Sequence, residues 1–154
     1  MTEASTTTSS EETKAEGPKG IGGWLILPTI GTVLSPFAMA YWTFETGRAL
    51  SPSLAPSLLT FIAIEALFNL GLMIAWIVAI VLLFKHKRAY PKLFVALLAI
   101  GLVGTAVDLV VAVAAFDVRV DANDVKGLVR SVIGLAIWGP YMFISKRVRN
   151  TFVD

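Results

Sequence analysis

The chain is predicted to be an all-α membrane protein with four transmembrane helices in an antiparallel bundle and both termini in the cytoplasm. Three observations predict it. Four long apolar runs fill most of residues 22 to 144, separated by short polar connections, and each reaches the roughly 20 residues that a helix needs to cross hydrocarbon. The 154 residues are 56% hydrophobic and only 16% charged, too apolar for an ordinary soluble domain and too few for more than one bundle. The cations are also uneven. Lys14, Lys19, Lys85, Lys87, Arg88, Lys92, Lys146, Arg147 and Arg149 fall on one side of the alternating runs, and Arg48, Arg119 and Lys126 on the other. The positive-inside rule puts the richer side in the cytoplasm.

Residues 1–20 hold eight Ser/Thr and four Glu with no aromatic or branched aliphatic side chain, so they are expected to form a disordered cytoplasmic tail. Residues 21–154 make up the membrane domain. Helix 1 is placed at about 24–44, with Pro28 and Pro36 inside it; each removes an amide donor, so a kink or loosened turn is expected. Ala38-Met39-Ala40 has the small side chains of a leader-peptide cleavage site. The segment before it is long and acidic, however, and the apolar run continues through Tyr41, Trp42 and Phe44, so a retained helix is expected.

Helix 2 is placed at about 58–84, long enough to cross with tilt. A basic turn, Lys85 to Lys92, leads to helix 3 at about 93–116. An acidic connection then offers Asn123 or Asp124 as the cap of helix 4, at about 125–144. Trp24, Tyr90 and Tyr141 are expected at the inner membrane interface and Trp42 at the outer one.

Three stretches carry a resemblance: Ile21-Gly22-Gly23-Trp24-Leu25, the segment from Phe84-Lys85 to Pro91-Lys92, and Trp138-Gly139-Pro140-Tyr141 followed by Ser145 to Val153. Together they resemble the bacterial family of small four-helix membrane proteins known as domain-of-unknown-function family 2569. The resemblance covers about residues 20 to 154 and leaves out the Ser/Thr/Glu-rich tail. It implies four spanning helices and a bacterial cell membrane. It implies no activity, so no functional residues carry over.

The residues themselves exclude much of the usual chemistry. With no cysteine there is no disulfide, thiolate metal site or Cys nucleophile. His86 is the one histidine and sits in a basic turn without partners for a metal site or a Ser-His-Asp arrangement. Asp121, Asn123 and Asp124 lack the bidentate Glu of a calcium loop. Gly22-Gly23 follows no strand, so it is a flexible entry to the membrane and not a phosphate loop. Trp76 and Trp138 fit helix packing. A net charge of +2, concentrated beside apolar runs, argues against a nucleic-acid surface. No cofactor, metal or catalytic site is expected, and the protein is not expected to be an enzyme.

Two groups of residues remain. Lys85, Lys87, Arg88, Lys92, Lys146, Arg147 and Arg149 are expected to face anionic lipid headgroups, each contributing about 1 kcal/mol, with Phe152 and Val153 dipping into the interface. Glu65, Asp108 and Arg130 lie inside apolar runs, where a central charge costs about 2.5 to 3.5 kcal/mol. Measured along the helix axis they stand within roughly 7–12 Å of the outer ends, and Asn69 follows Glu65 by one turn. Gly101, Gly104, Thr105 and Asp108 share one small face of helix 3; Gly127, Arg130, Ser131, Gly134, Trp138 and Tyr141 share one of helix 4. Arg130 is expected to pair with Asp108, with Glu65 and Asn69 completing a polar cluster. The expected role is a non-enzymatic interaction or modulatory protein of the bacterial inner membrane, in contact with the lipid bilayer and with a membrane-protein partner or a second copy. The alternative is a small proton- or cation-coupled transporter that uses the Glu/Asp/Arg cluster.

Overall fold

The computed structural model describes residues 20–48, 54–117 and 119–153. The expected tail at 1–20 lies outside these residues apart from Gly20. Every described element is helical: a 3-10 turn at Gly23–Leu25, then α1 (Ile26–Arg48), α2 (Pro56–Phe84), α3 (Ala89–Phe116), α4 (Ala122–Ile144) and α5 (Lys146–Thr151). Four helical stretches are long and apolar enough to cross a membrane: Gly23–Arg48, Pro56–Phe84, Ala89–Phe116 and Ala122–Ile144. They carry large apolar side chains outward, from Trp24 and Phe37 to Val110 and Ile144.

Two helix starts differ from the sequence expectation by more than two residues. α3 begins at Ala89, four residues early, and Pro91 lies in its first turn. A proline is tolerated there because first-turn amides have no partner within the helix. α4 begins at Ala122, and its cap is Asp121 instead of Asn123 or Asp124. The Asp121 carboxylate accepts from the amides of Asn123 at 2.6 Å and Asp124 at 2.9 Å, while the Asp124 carboxylate accepts from the Asp121 amide at 2.9 Å. This reciprocal capping box satisfies amides that would otherwise point into empty space.

The Asp124 amide, and next the Asn123 amide, hold the Asp121 carboxyl below its ordinary value. A depressed carboxyl stabilises the folded state above the ordinary aspartate range and loses that contribution as pH falls through the depressed value. Asp121→Ala should therefore lower the melting temperature in detergent at neutral pH, and the gap from the parent chain should close on acidification. A constant gap down to the acid limit would place the effect elsewhere.

Only one of the two helix-1 prolines is interior. Pro28 lies in the first turn of α1, whereas Pro36 sits within the helix. Thr32, fully buried between them, donates its hydroxyl to the Pro28 carbonyl at 2.7 Å and lies 2.9 Å from the Tyr90 hydroxyl.

α1 packs on α2, α2 on α3, and α3 on α4. The well-buried side chains gather at one end, where Leu25, Leu83, Tyr90, Phe94, Met142, Val148 and Phe152 meet. Tyr90 is wholly buried, so it is a core residue and not the interface anchor expected from the sequence. Its ring stacks on Phe152 at 4.7 Å and approaches Phe94 at 5.9 Å. Trp24, by contrast, is 71% exposed.

Candidate functional site

The expected polar cluster divides in the structure. Glu65 and Asn69 on α2 and Asp108 on α3 line one cavity of about 650 Å³, whose walls are otherwise mostly apolar: Phe61, Phe68 and Leu72 on one side, Ile100, Val103 and Val107 on the other. The expected small face of α3 lines it too, through Gly101, Gly104 and Thr105. Gly104 matters here because the Phe68 ring lies where a Cβ would stand, 2.7 Å from that position, so a side chain at 104 would displace the ring that walls the cleft. The Thr105 hydroxyl is occupied, donating to the Gly101 carbonyl at 3.0 Å.

Glu65 and Asp108 place two carboxylates in the lining of one largely apolar cavity. Like charges in a poorly hydrated cleft demand a counter-charge or a proton. The expected counter-charge does not arrive. Among the described residues the ion pair within 4.0 Å is Arg48 with Glu45 at 3.3 Å; Arg130 pairs with neither Asp108 nor Glu65. Arg130 is exposed on α4, outside the cavity lining. α4 packs on α3, with Trp138 and Tyr141 of the expected small face against the buried core, while Arg130 near the start of the helix stays exposed.

Asn69 also lines a second cavity of about 580 Å³ between α1 and α2, bordered by Thr43, Phe44, Arg48 and Met73. Arg48 there is engaged by Glu45 and lies over the Phe44 ring at 5.8 Å. Asn69 is thus the polar side chain common to both cavities.

The expected basic segment is brought together at the buried end. Lys85, Lys87, Arg88, Lys92, Lys146 and Arg149 are all exposed. Arg147 is different: it is partly buried, and its guanidinium lies against the backbone of Gly22 and Gly23, with Nη1 2.7 Å from where a Gly22 Cβ would be. Gly23 has φ +56°, a left-handed conformation that costs other residues roughly 1–2 kcal/mol. The Gly22-Gly23 pair therefore serves close approach and a sharp turn at once.

α5 was not foreseen as a helix. The Ser145 side chain caps it by accepting from the Val148 amide at 3.5 Å, and Val148, Thr151 and Phe152 turn into the core. Phe152 thus dips into protein, not into the lipid interface. The Gly20 amide donates to the Thr151 hydroxyl at 3.0 Å, and Arg88 Nε donates to the Val153 carbonyl at 2.6 Å. These contacts clasp the start of α1, the α2–α3 turn and the C-terminal segment into one unit.

The folded chain is thus an all-helical protein with four helices fit to cross a membrane, a carboxylate-bearing cleft and a clasped end. It belongs to a family of unknown function, DUF2569, whose model matches residues 18–153. Two of the three stretches that carried the resemblance, around Gly22-Gly23 and Ser145 to Val153, are the two sides of the clasp, and the third holds the turn between α2 and α3. No curated protein and no solved structure matches the chain.

Proposed function

We propose that this chain is a multi-pass protein of a bacterial cell membrane that works by association, not catalysis, receiving a cation-bearing membrane component in the cleft between α2 and α3. The observation that carries this is the pairing of Glu65 and Asp108 in an apolar cavity with no described cation within 4.0 Å. Charges at membrane depth are costly unless compensated, and compensation from Arg130 within the same chain is absent. A cation supplied from outside the chain meets the requirement. The one hydroxyl in the cleft lining, Thr105, donates to the Gly101 carbonyl of its own helix at 3.0 Å and not to a carboxylate base.

Both termini are proposed to be cytoplasmic, with successive helices alternating in direction. The nine-to-three cation bias supports the orientation. Alternation is supported by ring contacts along α2 and α3, Phe61 with Phe116 at 5.4 Å and Trp76 with Phe94 at 5.9 Å. In this orientation the exposed Lys85, Lys87, Lys92, Lys146 and Arg149 face anionic headgroups of the inner leaflet. Reporter fusions after residues 20, 88 and 154 should read cytoplasmic, and fusions in the 49–53 connection and at 121 external. A cytoplasmic reading at 121 would remove the four-span arrangement.

Transport of a proton or small cation is the second reading. It is favoured by Asn69, which bridges the carboxylate cavity and the cavity beside Arg48. Purification of the intact chain in mild detergent, with the mass of the complex measured before and after Glu65→Gln with Asp108→Asn, tests association; proton flux into liposomes tests transport. A complex lost on neutralising the carboxylates supports association. A monomer that moves protons only with Glu65 intact replaces it with transport.

A further inference from the structure

We infer that the cleft is filled by Arg130 of a second copy of this chain, so that two copies exchange arginines into each other's carboxylate pairs. This rests on the association reading above and names its partner. Arg130 and the carboxylates are complementary and both unmatched: Arg130 is exposed on a membrane-spanning helix, and no described carboxylate lies within 4.0 Å of it.

The heights agree as well. Glu65 lies nine residues after the start of α2 at Pro56, Asp108 eight before the end of α3 at Phe116, and Arg130 eight after the start of α4 at Ala122. At 1.5 Å per residue all three stand about 12–14 Å from those ends. α2 and α3 lie alongside each other, with Phe61 against Phe116 at 5.4 Å and Trp76 against Phe94 at 5.9 Å, and α3 passes into α4 through the short segment 117–121. Two copies sharing a membrane orientation therefore present arginine and carboxylates in the same half of their spanning helices, within the reach of a long arginine side chain.

Close approach is available on the α4 side. Gly127 and Gly134, one turn either side of Arg130, have open space where a Cβ would stand, and the Ser131 hydroxyl is occupied by the Gly127 carbonyl at 3.0 Å. The other cations near the start of α4, Arg119 before it and Lys126 one turn before Arg130, lie closer to the helix end and so closer to water. A two-fold axis along the membrane normal makes the exchange reciprocal and closed, which limits assembly to a dimer.

The chain has no cysteine, so single introduced cysteines report contacts cleanly. Two differently tagged copies are co-expressed, one carrying Ser131→Cys on α4 and the other Thr105→Cys at the cleft, and membranes are treated with a short bis-maleimide. A crosslinked pair is expected, well above a control in which Ile30→Cys on the outer face of α1 replaces Ser131→Cys. Arg130→Glu in the Ser131→Cys copy should cut the yield about tenfold, and Asp108→Arg in the Thr105→Cys copy should restore it. Arg130→Gln, which introduces no new charge, should also lower the yield and serves where Arg130→Glu fails to accumulate. Crosslinking no greater than the control, or a yield indifferent to both Arg130 changes, overturns the second copy. If the complex in detergent still depends on Glu65 and Asp108 in that event, the cleft holds a different partner and only this inference falls.

Discussion

Phe152→Ala is expected to destabilise the protein by about 3–5 kcal/mol, the range for emptying a buried phenylalanine site. The ring is 4% exposed, stacks on Tyr90 at 4.7 Å and reaches His86 at 6.2 Å. Losing it leaves α5 without its main anchor, and with α5 go the contacts it holds in place: Arg147 on Gly22 and Gly23, and the Gly20–Thr151 bond. The effect should therefore exceed the loss of the ring alone. Thermal unfolding in detergent, followed by helix content or by aggregation, measures it. Val153→Ala is the control, since Val153 is 48% exposed, and it should change the melting temperature little. Equal behaviour of the two variants would mean that the clasp does not hold the helices together.

The second large effect is at the cleft, and its two parts have opposite sign. Glu65→Gln with Asp108→Asn should make the isolated chain more stable, by on the order of 2 kcal/mol, because two uncompensated charges leave apolar surroundings while shape and volume stay nearly the same. The same change should abolish association, because the partner's cation then enters a cleft with nothing to neutralise it. A residue that merely supported the fold would give the reverse stability change. Melting temperature and complex mass, measured on the same preparations, separate the two roles.

The four spanning helices were legible in the sequence because length and hydropathy suffice to define a membrane helix. The carboxylates were legible for a related reason: Glu65 and Asp108 interrupt otherwise apolar runs, and Asn69 follows Glu65 by one turn. What could not be read was rotation. Arg130 shares a small-residue face with Gly127, Ser131 and Gly134, but a shared face does not say which neighbour it meets, and in the structure Arg130 stays exposed, outside the cleft. The starts of α3 and α4 were missed for local reasons. Pro91 falls in the basic turn of the sequence reading although first-turn proline is allowed, and Asn123 or Asp124 is the cap expected there although the reciprocal bonds of Asp121 with Asp124 make Asp121 the better one. The clasp was missed because Lys-Arg-Val-Arg-Asn-Thr-Phe reads as a basic surface segment. Only tertiary packing reveals that Val148, Thr151 and Phe152 form its buried side. Tyr90 shows the same limit, since a tyrosine next to a basic turn fits an interface anchor as well as a core residue.

The central claim is that the cleft receives a cation-bearing partner within the membrane. The direct measurement is photocrosslinking in intact membranes from a benzoylphenylalanine placed at Val103, which lines the cleft and is 60% exposed. The account predicts a crosslinked species of defined mass that disappears with Glu65→Gln and Asp108→Asn while the amount of protein in the membrane is unchanged. Adducts with lipid alone, unaltered by neutralising the two carboxylates, would contradict it.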